Sequence, residues 1–404
     1  MIQEKKDMLK VWNMTLVILT FALTIFGTFL TRSGVISSVH SFTQSGLGPY
    51  FLCFLSLILI VSIGLLIYRL PYLRSENELD SMLSREAAFL FNNLVLVGLA
   101  FATFWGTIFP ILSEWVRGVK ITVGPPFFNQ VNGPLGVMLL LLTGIGPIIA
   151  WRRANAESLK RQFSMPLLIG VGFGCALFLL GYQNYYAVLI FSLVGFVFAG
   201  IVGEFYRGTR ARQAILGENS PRALKQLVSK NPRRYGGYLV HLGVVLIFFG
   251  VAGAFFTVEE QITVNKGQSF GVGRYELLYL GITEHDDPHI SSKIALVDVS
   301  IKGEKIAIMK PEKRFYKKQN QPTTEVDIRA TLIEDLYLVL GSYDPSSDLA
   351  TFQVLINPLK SWIWIGGIVL MLGTCVVMAP SPAERQAFAR ERPRSSLEGE
   401  LIVD

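Results

Sequence analysis

Charge is scarce in this sequence: Lys, Arg, Asp and Glu make up 17% of its 404 residues, against about 25% in an ordinary soluble domain. That excludes a water-soluble globular chain, and a mean hydropathy of +0.44 points to the lipid phase instead. Cysteine is scarce too. Cys53, Cys175 and Cys375 lie in three separate apolar runs, which leaves neither a disulfide framework nor a cysteine-rich metal site. No Walker loop, zinc-protease motif or Ser/His/Asp context occurs. Four histidines remain as candidates for chemistry: His40, His241, His285 and His289.

What the chain has is apolar length. A bilayer core of roughly 30 Å needs about 20 apolar residues in a helix. Eight runs answer to that: 12–31, 48–68, 88–110, 134–151, 166–182, 185–205, 236–256 and 359–379. The fifth and sixth, separated by Gln183 and Asn184, read as a tight helical hairpin. The first follows Lys5, Lys6 and Lys10 but ends in Phe29-Leu30-Thr31-Arg32, without a small-residue cleavage site, and reads as a span rather than a signal peptide. Lys and Arg alternate strictly between the connections: 22 fall in segments 1–11, 69–87, 152–165, 206–235 and 380–404, and 3 in the intervening short loops. Both termini are therefore expected on the cytoplasmic or matrix side. The net charge of +7 then reflects topology, and nucleic-acid binding is not expected.

Residues 257–358 differ in kind. Stretches such as 275–280 and 294–301 are rich in β-branched and aromatic residues, and Gly267, Gly303, Pro322 and Asp344-Pro345 punctuate them, which is strand-and-turn composition. The expected organisation is a polytopic α-helical membrane protein of about eight spans with one outer-side all-β domain. Residues 1–256 form the first seven spans, 257–358 the β domain, 359–379 the last span and 380–404 a disordered cytoplasmic tail.

His241, in the seventh run, is an ionisable group at membrane depth and so a functional candidate. Gly237 lies four residues earlier on the same face, where a missing side chain admits a flat ligand or a helix. A neutral imidazole there suits haem iron, although on local sequence alone a bond to a neighbouring helix carbonyl stands slightly ahead. His40 lies on the outer side, eight residues after Arg32, in a stretch with Val35, Val39 and Phe42 on one helical face. It reads either as an iron ligand or acid–base group or as a solvated interfacial histidine. His285 and His289, which flank Asp286 and Asp287, read as a turn between strands. Asn92 and Asn93 suit interhelical hydrogen bonds, Trp12, Trp105, Trp115, Trp362 and Trp364 an aromatic belt. Arg32, Arg117 and Lys120 are the basic residues of the outer short loops, placed for anchoring or for pairing with carboxylates.

Several segments together resemble one family. FLTRSGVISSVHSF (29–42), FLFNN (89–93), GTIFPIL (106–112), ITVGPPFFNQVNGPLG (121–136), GIGPIIAWRR (144–153), GGYLVHLGVVLIFFGVAG (236–253) and INPLKSWIWIGG (356–367) match, in order, the C-terminal part of the cytochrome c maturation protein F family. This is the membrane subunit of the System I haem lyase. The resemblance implies that His40 corresponds to the second of two outer histidines on the chaperone-delivered haem. It implies that His241 is the second of two membrane histidines on a resident haem b. Arg32, Arg117, Gly237 and Asn129 are candidates for supporting these sites; the resemblance names no propionate partner, and Arg233 and Arg234, near the cytoplasmic end of span seven, are candidates for the resident haem by position. The family's tryptophan-rich motif, first outer histidine and first membrane histidine are absent here, so either the gene is split, with a separate N-terminal CcmF chain as partner, or the sequence is a fragment. The other partners implied are the haem chaperone CcmE, the subunits CcmH and CcmI, apocytochrome c with its CxxCH segment, and quinol. The expected location is a bacterial inner membrane, with mitochondria the lesser option. A transporter or assembly scaffold is the rival class, and the relative dedicated to nitrite-reductase haem attachment a nearer one.

Overall fold

The computed structural model describes residues 9–33, 46–74, 84–146, 156–318 and 320–380, in two compact units, residues 1–161 and 162–404. Among the described residues, eight helices are long and apolar enough to cross a membrane. With the β-sandwich of the second unit, they make the chain a polytopic helical membrane protein carrying a β domain.

The first unit contains two helix pairs. In the first, α1 (Lys10–Ser33) packs on α2 (Gly48–Tyr68), and a single helical turn, α3 (Leu70–Leu73), follows. Both long helices are apolar all round yet largely exposed; Leu57, Ile60 and Ile67 of α2 are 59%, 71% and 65% exposed. Such a surface requires an apolar surrounding, as in a membrane or against a partner's helices. In the second pair, α4 (Arg85–Arg117) packs on α5 (Pro125–Ile145). Ser84 starts α4 by accepting from the Ala87 N–H at 3.1 Å, and Gly118, at φ 67°, ends it. At 33 residues α4 is about 50 Å long, so it extends past both ends of the apolar run at 88–110. Ser113, buried, donates to the Pro110 carbonyl and accepts from the Ile121 N–H, both at 2.9 Å, tying the return segment back onto α4. Gly106 makes room for the rings of Phe127 and Phe128, which a Cβ there would meet.

In the second unit, α6 (Ala156–Leu179) and α7 (Tyr185–Leu216) form the expected hairpin. Asn184 opens α7 by accepting from the Ala187 N–H at 3.1 Å. The helices cross closely at Gly170, where a Cβ would lie 2.6 Å from the Ser192 carbonyl oxygen. Residues 206–235, read from the sequence as a basic connection, are nearly all helical. α7 continues to Leu216, and α8 (Ser220–Lys230) follows a cap in which Asn219 accepts from the Arg222 N–H. Arg, Lys, Gln, Ala and Leu are strong helix formers, and α8 buries Ala223 and Leu227 while its basic residues stay out.

The next helix, α9 (Pro232–Ala252), pairs with α10 (Ser361–Met378) along a glycine seam. Gly236, Gly243 and Gly250 recur every seven residues on α9 and meet Gly366, Gly373 and nearby backbone on α10. Small residues in register let two membrane helices approach backbone to backbone.

Between α9 and α10 stand ten strands: β1 (Val258–Asn265), β2 (Ser269–Val272), β3 (Tyr275–Asp286), β4 (Ile290–Ile301), β5 (Glu304–Met309), β6 (Glu312–Tyr316), β7 (Gln321–Glu325), β8 (Asp327–Arg329), β9 (Glu334–Asp344) and β10 (Leu349–Pro358). One sheet has the order β1-β10-β9-β8; the other has β2-β3-β4-β6-β7, with β5 also on β4. Period-2 alternation turns Leu277, Tyr279, Val297, Val299, Leu338 and Phe352 into a shared core. The sandwich joins the helix pair without a linker. A short 3-10 turn (Gly253–Phe256) leads from α9 into β1, whose Val258 pairs with Ile356 of β10. Thr257 donates to the Asn357 side chain at 3.1 Å beside that pair.

Candidate functional site

His241 is the tenth of the 21 residues of α9 and so lies about midway along the span. It is half-buried, with its Nδ1 shielded from solvent. One turn earlier, Gly237 differs from the seam glycines beside it: a Cβ on Gly236 would lie 2.7 Å from the Val377 nitrogen, but one on Gly237 would meet nothing within 4 Å. The helix therefore turns one glycine face to α10 and leaves a gap on the row that carries His241.

The same row leads to a charge cluster. Arg234 lies seven residues, two turns, before His241, about 10 Å along the axis and nearly in line with it. Arg234 Nη2 donates to Glu204 Oε2 at 2.8 Å, and the Tyr238 hydroxyl donates to the same oxygen at 3.1 Å. Arg207 Nη2 donates to the other carboxylate oxygen. The Glu204 carboxylate is buried while both arginines remain about half exposed. Arg234 lies over the Tyr235 and Tyr238 rings, at 5.7 and 5.9 Å from their centroids. Two guanidiniums around one carboxylate leave a positive charge facing outward, suited to a further carboxylate or phosphate. The sequence reading missed Glu204, although an acidic residue closing the apolar run at 185–205, three before Arg207, signals it.

These residues fit a haem: an imidazole at membrane depth, an open gap beside it, and a cation two turns away for an anionic edge. Among the described residues no second histidine lies at that depth, since His285 and His289 belong to the sandwich. His40 lies outside the described residues. Arg32 occupies the last turn of α1, Arg117 the last turn of α4, and Asn129 the start of α5. Arg117 and Asn129 are exposed. Asn92 and Asn93 are half-buried in α4.

His285 and His289 sit at the β3–β4 hairpin. Asp287 accepts from the backbone N–H groups of His289 and Ile290, both at 2.7 Å, and those bonds hold its carboxyl below the usual range. This is turn chemistry, and no group of three or more metal-ligating side chains occurs among the described residues.

Residues 255–358 match the family described as the CcmF C-terminal beta-sandwich. The chain is 30% identical over 379 residues to the cytochrome c-type biogenesis protein CcmF of Haemophilus influenzae, covering 93% of this chain and 57% of that protein. With CcmF of Pseudomonas aeruginosa it shares 31% identity over 377 residues, covering 92% and 55%. A protein named NrfE from Haemophilus influenzae is 26% identical over 390 residues, covering 92% and 56%. Among solved structures, one titled Cytochrome c Heme Lyase CcmF superposes with a TM-score of 0.71 at 27% identity, over 94% of this chain and 56% of the other. The chain spans a little over half the length of these relatives.

Proposed function

The chain belongs to the CcmF family, and from that premise we propose that it is the C-terminal part of a cytochrome c haem lyase. The family supports a role in cytochrome c maturation; the assignment of residues is ours. The observation that carries it is His241 at mid-span beside the gap at Gly237. In this reading His241 would hold the iron of a resident haem b together with a second histidine from the N-terminal part of the family's protein. Such a haem, when bound, supplies one-electron chemistry, with quinol as donor. Arg234 and Arg233 would hold its propionates, and Gly237 would let the macrocycle lie against α9. Burial along α9 would keep water from the iron and tune its potential.

His40, with Arg32, Arg117 and Asn129, would hold the substrate haem brought by the chaperone CcmE. Attachment adds each CxxCH thiol of apocytochrome c across a haem vinyl group. A C–S bond forms, and the thiol hydrogen passes to the other vinyl carbon. This addition has no net redox, but both thiols and iron must enter it reduced. The protein's contribution is then largely positioning. The β-sandwich, on the periplasmic side of a bacterial inner membrane, would dock subunits such as CcmH and CcmI. The basic connections, both termini included, would face the cytoplasm.

The test is a reduced-minus-oxidised visible spectrum with pyridine haemochrome, on the chain purified with its membrane partner. Wild type and His241→Ala are compared. A b-type spectrum lost or weakened in the variant supports the reading. A colourless wild type with the partner present overturns it and favours a scaffold.

A further inference from the structure

The turn between β8 and β9 presents Leu332 and Ile333 side by side, 61% and 65% exposed, at the end of the sandwich where α10 begins. Two adjacent aliphatic side chains in the open are unusual for a turn otherwise built from polar contacts. Several of the surrounding backbone groups are paired. The Leu332 carbonyl accepts from Trp362 Nε1 at 2.9 Å, and the Ile333 carbonyl from the Leu359 N–H at 2.8 Å. The Ile333 N–H donates to the Thr331 hydroxyl at 3.3 Å. Asp335, buried, accepts from the Thr331 N–H at 3.1 Å and from the Ser361 hydroxyl at 3.3 Å. The turn and the start of β9 are thus tied to Ser361 and Trp362 in the first turn of α10 and to Leu359 just before it, while the Leu332 and Ile333 side chains project.

Depth follows from length. α10 has 18 residues, about 27 Å, whereas the hydrocarbon core is roughly 30 Å thick. The helix has no spare turn, so its first turn, with Trp362 and the 78% exposed Trp364, must lie at the hydrocarbon boundary. A loop bonded to Trp362 lies there too. Non-helical backbone is kept out of the lipid-exposed hydrocarbon region, so the turn's backbone stays at the boundary and only the Leu332 and Ile333 side chains reach past it.

We propose that Leu332 and Ile333 form a hydrophobic finger that inserts into the bilayer beside α10 and fixes the sandwich on the membrane surface. The occupant of this apolar patch is lipid, because the patch is continuous with a spanning helix. The opposite end of the same β9–β10 pair, Asp344 to Asp348, is polar: Ser346 and Ser347 donate to the Asp344 carboxylate.

The test uses the full chain with its co-purifying partner in phosphatidylcholine–phosphatidylglycerol vesicles. Cys53, Cys175 and Cys375 are replaced by Ala, and a nitroxide is attached at Leu332→Cys, Ile333→Cys or, as the water-side reference, Ser347→Cys. Oxygen, which concentrates in lipid, should relax the labels at 332 and 333 several-fold more than a water-soluble nickel chelate does, with the order reversed at 347. A water-like response at both finger positions overturns the proposal. So does shielding from both reagents, which would mean a protein partner covers the patch. The two positions report independently, so poor folding of one variant leaves the other decisive.

Discussion

Gly243 of α9 and Gly366 of α10 face each other so closely that a Cβ on either would lie 2.7 Å from the other's carbonyl oxygen. The obstacle on both sides is backbone, which cannot swing away as a side chain can. Gly243→Val or Gly366→Val should therefore lower stability by about 1–3 kcal/mol or more, the usual cost of overpacking. A fall in the detergent-solubilised unfolding temperature, read by tryptophan fluorescence, checks this.

Gly237 supplies the contrast on the same helix. Gly237→Ala should leave stability unchanged or raise it by a few tenths to about 1 kcal/mol, since alanine is the better helix former and the space is open. Gly237→Leu should fold as well, yet fill the gap on His241's row. In the co-purified complex it should reduce b-type haem content with an unchanged unfolding temperature. Full haem content in Gly237→Leu would mean that haem does not use that gap.

Glu204 holds two arginines and a tyrosine. Glu204→Gln leaves Arg207 and Arg234 facing each other without their counter-charge. Because both guanidiniums are about half exposed, solvent screening limits the loss to about 1–2 kcal/mol. Glu204→Asp should fall between it and wild type in the same melting measurement.

Tyr279 is buried in the sandwich core against Phe352, and its hydroxyl has no hydrogen-bond partner. Replacing an unpaired buried hydroxyl with hydrogen removes a desolvation cost, so Tyr279→Phe should be neutral or stabilising by about 1 kcal/mol. Burial pushes the phenol up to about 12 from an ordinary 10.0. The unfolded chain then binds fewer protons than the folded one between those values. Wild-type stability should accordingly be complete below pH 10 and decline as pH rises towards 12, whereas Tyr279→Phe loses that component of the decline. Denaturant melts at pH 8 and pH 11 compare the two.

The spans and the sandwich were legible because each rests on a long signal: uninterrupted apolar length for the helices, β-branched composition with turn residues for the strands. The basic alternation was equally legible as a pattern. α8 was not, because eight Lys and Arg within 206–235 dominate the reading, and helix propensity with an Asn219 cap is a quieter signal. The glycine seam was present in the spacing of Gly236, Gly243 and Gly250, but only its partner, Gly366 and Gly373, gives the interval meaning. For the site, His241 and Gly237 could be named from one helix's periodicity. Glu204 could not be joined to Arg234 in that way, because 30 residues separate them.

The absence of a linker between the helix pair and the sandwich has a mechanical consequence. The chain enters through β1 and leaves through β10, and those strands are hydrogen-bonded neighbours from their first residue pair, so the joint has no swivel. The 11 residues of β9 make an arm of about 36 Å at 3.3 Å per residue. A rocking of α9 and α10 by about 10° would carry the far tip through roughly 6 Å over that arm. A small adjustment beside His241 would then be delivered, amplified, at the surface furthest from the bilayer.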